Sequence, residues 1–130
     1  QLARDPGPMA WRALDAAQTA EALGTIGEGA ADEVLNLAHA ADVVALGPGF
    51  GRTPSAQALV REVLARCDKP VVLDADGLFA VSPFADEFRR DAPTVLTPHA
   101  GEFARLTGAP APQSDAGRAE ETGAFARRFG

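Results

Sequence analysis

Residues 42–64 read DVVALGPGFGRTPSAQALVREVL, and their order decides the fold. Val43-Val44-Ala45-Leu46 is a short unbroken apolar run, the pattern of a strand buried on both faces of a parallel sheet. Three glycines within five residues follow it, at Gly47, Gly49 and Gly51. Thr53 then suits a helix cap and Pro54 the first turn, with Leu59, Val60, Val63 and Leu64 as the apolar stripe. A strand, a glycine loop and a helix in succession form one half of a βαβ unit.

Working outward, the pattern repeats. Upstream, Val34, Leu35 and Ala38 place a helix from about Glu28 to Ala41, and a further helix is possible over about Met9 to Ala22. Downstream, Val71-Val72-Leu73 and Thr94-Val95-Leu96 read as a second and a third strand, separated by a polar, Pro-bounded stretch anchored by Phe84 and Phe88. A helix follows over about Gly101 to Thr107. A last one starts at Ser114 or Asp115 and runs toward Phe125 and Phe129. This alternation predicts an α/β protein with a doubly wound, mainly parallel sheet and helices on both faces.

The chain has 130 residues, about one domain's worth, and a formal charge of −6 with its acidic residues scattered. That field repels phosphate backbones and anionic lipid, so nucleic acid is not an expected partner. The apolar runs are far too short to cross a bilayer, and Cys67, the sole cysteine, falls in the amphipathic stretch LVREVLARC, where a packing role is expected. A soluble, cytoplasmic protein is the expectation. Gln1 is not an initiator methionine, and Gly130 stands where a helix hands over to another strand. The chain therefore reads as part of a single larger domain, truncated at both ends.

Ligands of open parallel sheets bind outside the carboxyl ends of the strands, so the segments following each strand carry the functional signal. They are GPGFGRT (47–53), DADG (74–77) and TPHAGE (97–102). Gly47, Gly49 and Gly51 allow a ligand to approach main chain, and an anion or phosphate fits that space; the alternative is a tight turn with no ligand. Asp74 and Asp76, two apart in an extended segment, would face the same way, to hold Mg²⁺ through water, orient a hydroxyl or raise one another's pKa; otherwise each caps a turn. His99 is placed either to meet a ligand or to cap the helix behind it, and Glu102 either joins the substrate-binding set or is simply a first-turn carboxylate favoured by the helix dipole. His39, on a helix far from the strand ends, reads as a surface residue.

ALGPGFGR (45–52), PVVLDADGL (70–78) and VLTPHAGEFARLTG (95–108), in that order and spacing, resemble the ADP/ATP-dependent NAD(P)H-hydrate dehydratases, carbohydrate-kinase-like repair enzymes of the ribokinase-like superfamily. The likeness runs from about residue 40 to 130. It implies dehydration of hydrated NADH or NADPH to the working cofactor, with ADP or ATP as co-substrate and Mg²⁺ accompanying the nucleotide. It further implies that the glycine loop, through Gly49 with Gly47 and Gly51 shaping it, and His99 lie beside the hydrated dinucleotide, and it allows a homo-oligomer. Phe50, Gly77, Phe79 and Ala100 stand where that family often has Leu, Ala, Asn and Pro. The family's later Lys-Gly strand and Gly-Thr/Ser-Gly-Asp segment, which supply the adenine-nucleotide contacts and the catalytic aspartate, have no counterpart before Gly130, so the 130 residues by themselves are not expected to turn over. The rival readings are a ribokinase-like kinase of a thiazole or pyrimidine alcohol, against which the TPH-x-GE stretch argues, and a non-catalytic nucleotide-binding module.

Overall fold

The computed structural model describes residues 30–130. The possible helix over Met9 to Ala22 lies outside them. Within them the order is α1 (Ala30–His39), β1 (Val44–Leu46), α2 (Pro54–Arg66), β2 (Val71–Leu73), α3 (Asp76–Ala80), a 3₁₀ turn (Asp86–Phe88), β3 (Thr94–Leu96), α4 (Ala100–Thr107) and α5 (Asp115–Phe129). The strands pair in the order β1-β2-β3, all parallel, with Val44, Val71 and Thr94 in one row and Leu46, Leu73 and Leu96 in another. Because the register is in step, all three strands end together.

Among the described residues the helices cover one side of the sheet. Val44, Leu46, Val71, Leu73 and Leu96 point into a core shared with Leu59, Val60, Val63 and Leu64 of α2, Leu78 and Ala80 of α3, and Leu106 of α4. Leu64, Leu73, Leu78 and Leu106 are fully buried, each contributing about 1.5–3 kcal/mol of transfer free energy. Helix α1 packs on α2, α2 on α3 and α3 on α4.

Side chains alternate along a strand, so Ala45, Val72 and Val95, which are register partners, form a row on the opposite face. There Ala45 is exposed, Val72 half-buried and Val95 54% exposed; Val43, just before β1, is likewise 54% exposed. The expectation that residues 43–46 are buried on both faces is thus corrected. Among the described residues the helices all contribute to one core, and nothing covers the second face.

Local chemistry explains the helix ends. Thr53 Oγ1 accepts the Ala56 N–H at 3.2 Å, with Pro54 at the first helical position. Ser114 Oγ accepts the Gly117 N–H at 3.1 Å, and Gly108 closes α4 in the left-handed region. Cys67 is buried at the end of α2 and belongs to the core. Arg90 staples this end of the sheet, donating to the Cys67 and Lys69 carbonyls and, at 2.9 Å, to Thr94 Oγ1. His39 is exposed at the end of α1.

The Pro-bounded stretch holds more structure than its composition indicates. Besides α3 and the 3₁₀ turn it places Phe84 against Phe125 and Phe129 of α5, with ring centroids 5.6 and 5.0 Å apart. Phe103 joins the same group through Phe125 at 5.8 Å. No helix among the described residues is long and apolar enough to cross a membrane.

Candidate functional site at the strand ends

The three segments after the strands begin side by side, since Leu46, Leu73 and Leu96 are register partners. The first two touch through their backbones. The Asp74 N–H donates to the Leu46 carbonyl at 3.1 Å, and a methyl group on Gly47 would lie 2.0 Å from the Asp74 carbonyl oxygen and 2.7 Å from the Gly77 nitrogen. Gly47, at φ 128°, is therefore a packing glycine. Gly49 and Gly51 differ: both have positive φ, both are exposed, and no heavy atom lies within 4 Å of where a Cβ would stand. Space is open on that side of the loop, although the Gly51 N–H is already donated to Asp76 Oδ2.

The two aspartates do not face the same way. Ala75 takes φ 49° and ψ −119°, and the Gly77 N–H bonds back to the Asp74 carbonyl at 2.9 Å, so the chain turns sharply between them. A non-glycine residue there is strained by on the order of 1–3 kcal/mol, held by the packing on either side. Asp74 Oδ1 accepts the Ala75 N–H at 2.8 Å and so braces the turn. Asp76 starts α3 and reaches across to the glycine loop, its Oδ1 accepting from Arg52 Nε at 2.8 Å and its Oδ2 from the Gly51 N–H at 3.0 Å. The hydrogen bond from Arg52, helped by that from Gly51 and opposed by partial burial, holds its carboxyl below the usual carboxylate range.

The third segment shares the edge. Thr97 donates its N–H to the Leu73 carbonyl at 3.2 Å, extending the sheet by one bond. His99 caps α4: its Nδ1 accepts from the Gly101 and Glu102 N–H groups at 3.0 and 3.3 Å, which requires the proton on Nε2. The Glu102 carboxylate returns the contact, accepting the His99 N–H at 2.9 Å, so the pair forms a reciprocal capping box. Glu102 is buried, whereas the His99 side chain is 69% exposed with Nε2 at 3.4 Å from Glu102 Oε1. The imidazole thus serves the helix through Nδ1 while most of its side chain stays exposed.

Arg52 carries no role in the sequence reading, and Phe79 enters it only as a departure from the resembling family's usual Asn. The Arg52 guanidinium lies over the Phe79 ring, 4.7 Å from its centroid, while its Nε holds Asp76. The available signal was charge: across the three segments Arg52 is the sole Lys or Arg, set against Asp74, Asp76 and Glu102. Two hollows lie apart from these residues. A cavity of about 130 Å³ lined by Phe84, Phe103, Leu106, Phe125 and Phe129 meets the rim only through Pro98, and a surface cleft around Arg61, Cys67 and Arg90 sits at the opposite ends of the strands. Among the described residues no three His, Cys, Asp or Glu side chains converge as a metal site.

A family profile described as NAD(P)H-hydrate dehydratase matches residues 12–128. The chain belongs to that family. The bifunctional NAD(P)H-hydrate repair enzyme Nnr of Salinibacter ruber is 44% identical over 108 residues, covering 82% of this chain and 20% of the relative. Its counterpart in Mycobacterium tuberculosis is 53% identical over 66 residues, half of this chain and 14% of that protein. An ATP-dependent (S)-NAD(P)H-hydrate dehydratase of Ajellomyces capsulatus is 37% identical over 99 residues, 69% of this chain and 27% of that protein. The chain thus spans about a fifth of the length of the first of these relatives. The parallel α/β arrangement agrees with the ribokinase-like fold expected of the family.

Two outcomes follow from this geometry. Gly47→Ala is expected to destabilise the protein by several kcal/mol because its methyl group meets backbone atoms, whereas Gly49→Ala costs about 1–2 kcal/mol from its positive φ alone; equal urea midpoints for the two variants would refute the packing role of Gly47. Asp76, with its folded pKa depressed, stabilises at neutral pH and loses that contribution as pH falls from the ordinary carboxylate range through the lowered value. Asp76→Asn should therefore be less stable than the parent at pH 7, with the gap closing in acid; a gap independent of pH contradicts the pairing.

Proposed function

We propose that the intact protein dehydrates hydrated NADH or NADPH to NAD(P)H at the expense of ATP or ADP. Family membership supports the reaction class, and the relative named as ATP-dependent supports ATP as the co-substrate. The observation that carries the reading is the shared strand-end edge, where open space beside the Gly49 main chain and the largely exposed His99 imidazole occur together.

In this reading the terminal phosphoryl group of ATP passes to the ring hydroxyl of the hydrate. Phosphate then leaves with its C–O electron pair, a proton is lost from the adjacent ring carbon, and the double bond reforms. The products are ADP, phosphate and NAD(P)H. The groups present here bind and orient. Gly49 presents main chain that an anionic group can approach closely, while Gly51 ties the loop to Asp76 through its N–H and Gly47 sets the loop's path. The Nε2–H of His99 donates a hydrogen bond to the dinucleotide, its tautomer fixed by the cap. Asp74 and Asp76 hold the turn and the loop rather than the substrate, and Glu102 holds His99. The donors for the adenine nucleotide and the aspartate that would take the hydroxyl proton are not among the residues described.

Mg²⁺ would enter with the nucleotide phosphates, as is usual for that ion. The carboxylates here do not form its cage, since Asp76 is taken by Arg52 and Gly51 and Asp74 by Ala75. No step is assigned to it.

The full-length protein is expected to restore NADPH absorbance from its hydrate when ATP or ADP is supplied. Gly49→Val and His99→Ala should each lower kcat/KM for the hydrate by about tenfold or more, the loss expected for one hydrogen bond or a blocked approach. Unchanged kcat/KM in both variants would remove these residues from the site. Phosphorylation of thiazole or pyrimidine alcohols, with the hydrate ignored, would establish a small-molecule kinase instead.

A further inference from the structure

We propose that Arg52 is a phosphate contact of the hydrated dinucleotide, held ready by Asp76 on one side and by Phe79 beneath. This rests on the dehydratase reading and adds to it a residue that fixes the dinucleotide rather than the reacting ring.

Among the described residues the side chain is hydrogen-bonded at one point and unbonded at two. Nε donates to Asp76 Oδ1 at 2.8 Å, and the guanidinium carbon stands 4.7 Å from the Phe79 ring centroid. Together these set the position and tilt of the guanidinium plane. Its two terminal amino groups make no hydrogen bond among the described residues, and the side chain is 51% exposed. A surface arginine without such supports samples many rotamers and loses that freedom when it binds. Arg52 has given up much of it already, and its remaining N–H groups form the fork that matches two oxygens of a phosphate.

Charge points to the same ligand. Arg52 is the only Lys or Arg in the three strand-end segments, while Asp74, Asp76 and Glu102 are there too. A dinucleotide brings further negative charge through its pyrophosphate, and NADPH hydrate adds a 2′-phosphate. An unaided rim would repel it. Arg52 and Asp76 offset one another, Glu102 is buried behind His99 and Asp74 is half-buried against the Ala75 N–H, so the exposed N–H groups of Arg52 are the cationic donors beside the loop. Gly51, adjacent in sequence, and Gly49 have no neighbours within 4 Å on the side a Cβ would fill, which leaves room for a phosphate between the loop and the guanidinium.

Phe79 gives the arrangement its particular character. It is half-buried near the end of α3, with its ring face under the Arg52 guanidinium. An aromatic face supports the guanidinium plane without competing for its N–H groups.

The test is steady-state kinetics on the full-length protein with NADH hydrate, NADPH hydrate and ATP varied in turn, comparing the parent with Arg52→Gln and Arg52→Lys. Arg52→Gln is expected to raise KM for the hydrates about tenfold or more, the effect of losing a charge-assisted hydrogen-bond pair, while kcat and KM for ATP change less than about threefold. Arg52→Lys keeps the charge but not the fork, and should fall between. A rise for both hydrates assigns Arg52 to the pyrophosphate; a rise for NADPH hydrate alone assigns it to the 2′-phosphate. A rise in KM for ATP without one for either hydrate, or no rise at all in an active enzyme, overturns this inference and leaves the dehydratase reading standing. A parent protein inert toward both hydrates overturns both. Far-ultraviolet circular dichroism and the thermal midpoint of each variant confirm that it is folded, and if Arg52→Gln does not fold, the lysine variant decides by the same criteria.

Discussion

The close passage of two backbones governs this structure. Gly47, leaving β1, lies against the Asp74 carbonyl and Gly77, leaving β2, at a distance where neither glycine has room for a side chain without movement of its neighbour. Interiors pack at near-crystalline density and do not yield easily. This contact brings the loop after β1 within reach of the turn after β2. The Asp76 carboxylate can then accept from both Gly51 and Arg52, and the loop is held open rather than collapsed. Were the two tails to diverge by a few ångströms, the strands would still pair, but the edge would lose its arrangement.

The same region concentrates backbone conformations that the chain would not adopt in isolation. Gly47, Gly49, Gly51 and Ala75 all have positive φ within the first two strand tails. The glycines take such φ freely, whereas at Ala75 it is strain, which persists where the surroundings over-determine it. His99 and Glu102 achieve a comparable rigidity by another route. Their reciprocal cap fixes the imidazole's tautomer and orientation with hydrogen bonds that α4 requires anyway.

Much of the frame was legible from the residues. Val71-Val72-Leu73 and Thr94-Val95-Leu96 are strands over those same residues, Thr53 caps α2 and Pro54 opens it. Such signals are local, resting on short apolar runs and cap chemistry. The same-side expectation for Asp74 and Asp76 presumes extended backbone, and Ala75 interrupts it at a φ usually reserved for glycine. The five-residue α3 and the 3₁₀ turn are shorter than any periodic pattern detects. Burial of β1 on both faces was inferred from an apolar run, yet a run does not say whether a second layer is near; Ala45 and Val95 are exposed here. Glu102 was readable as a first-turn carboxylate, and its pairing with His99 follows the capping-box spacing with histidine in the serine or threonine position. The coupling of Arg52 to Asp76 and Phe79 spans more than twenty residues and depends on the tails meeting, so no local pattern discloses it.

The central claim is that the tails of three parallel strands form one dinucleotide-binding edge. Amide hydrogen exchange of the full-length protein, with and without saturating NADPH hydrate, tests it most directly. Slowed exchange confined mainly to residues 47–53, 74–79 and 97–102 is the predicted result, since a ligand seated there covers those N–H groups. Unchanged exchange in these segments, with protection instead around residues 66–70 and 89–93 at the opposite strand ends, would contradict it.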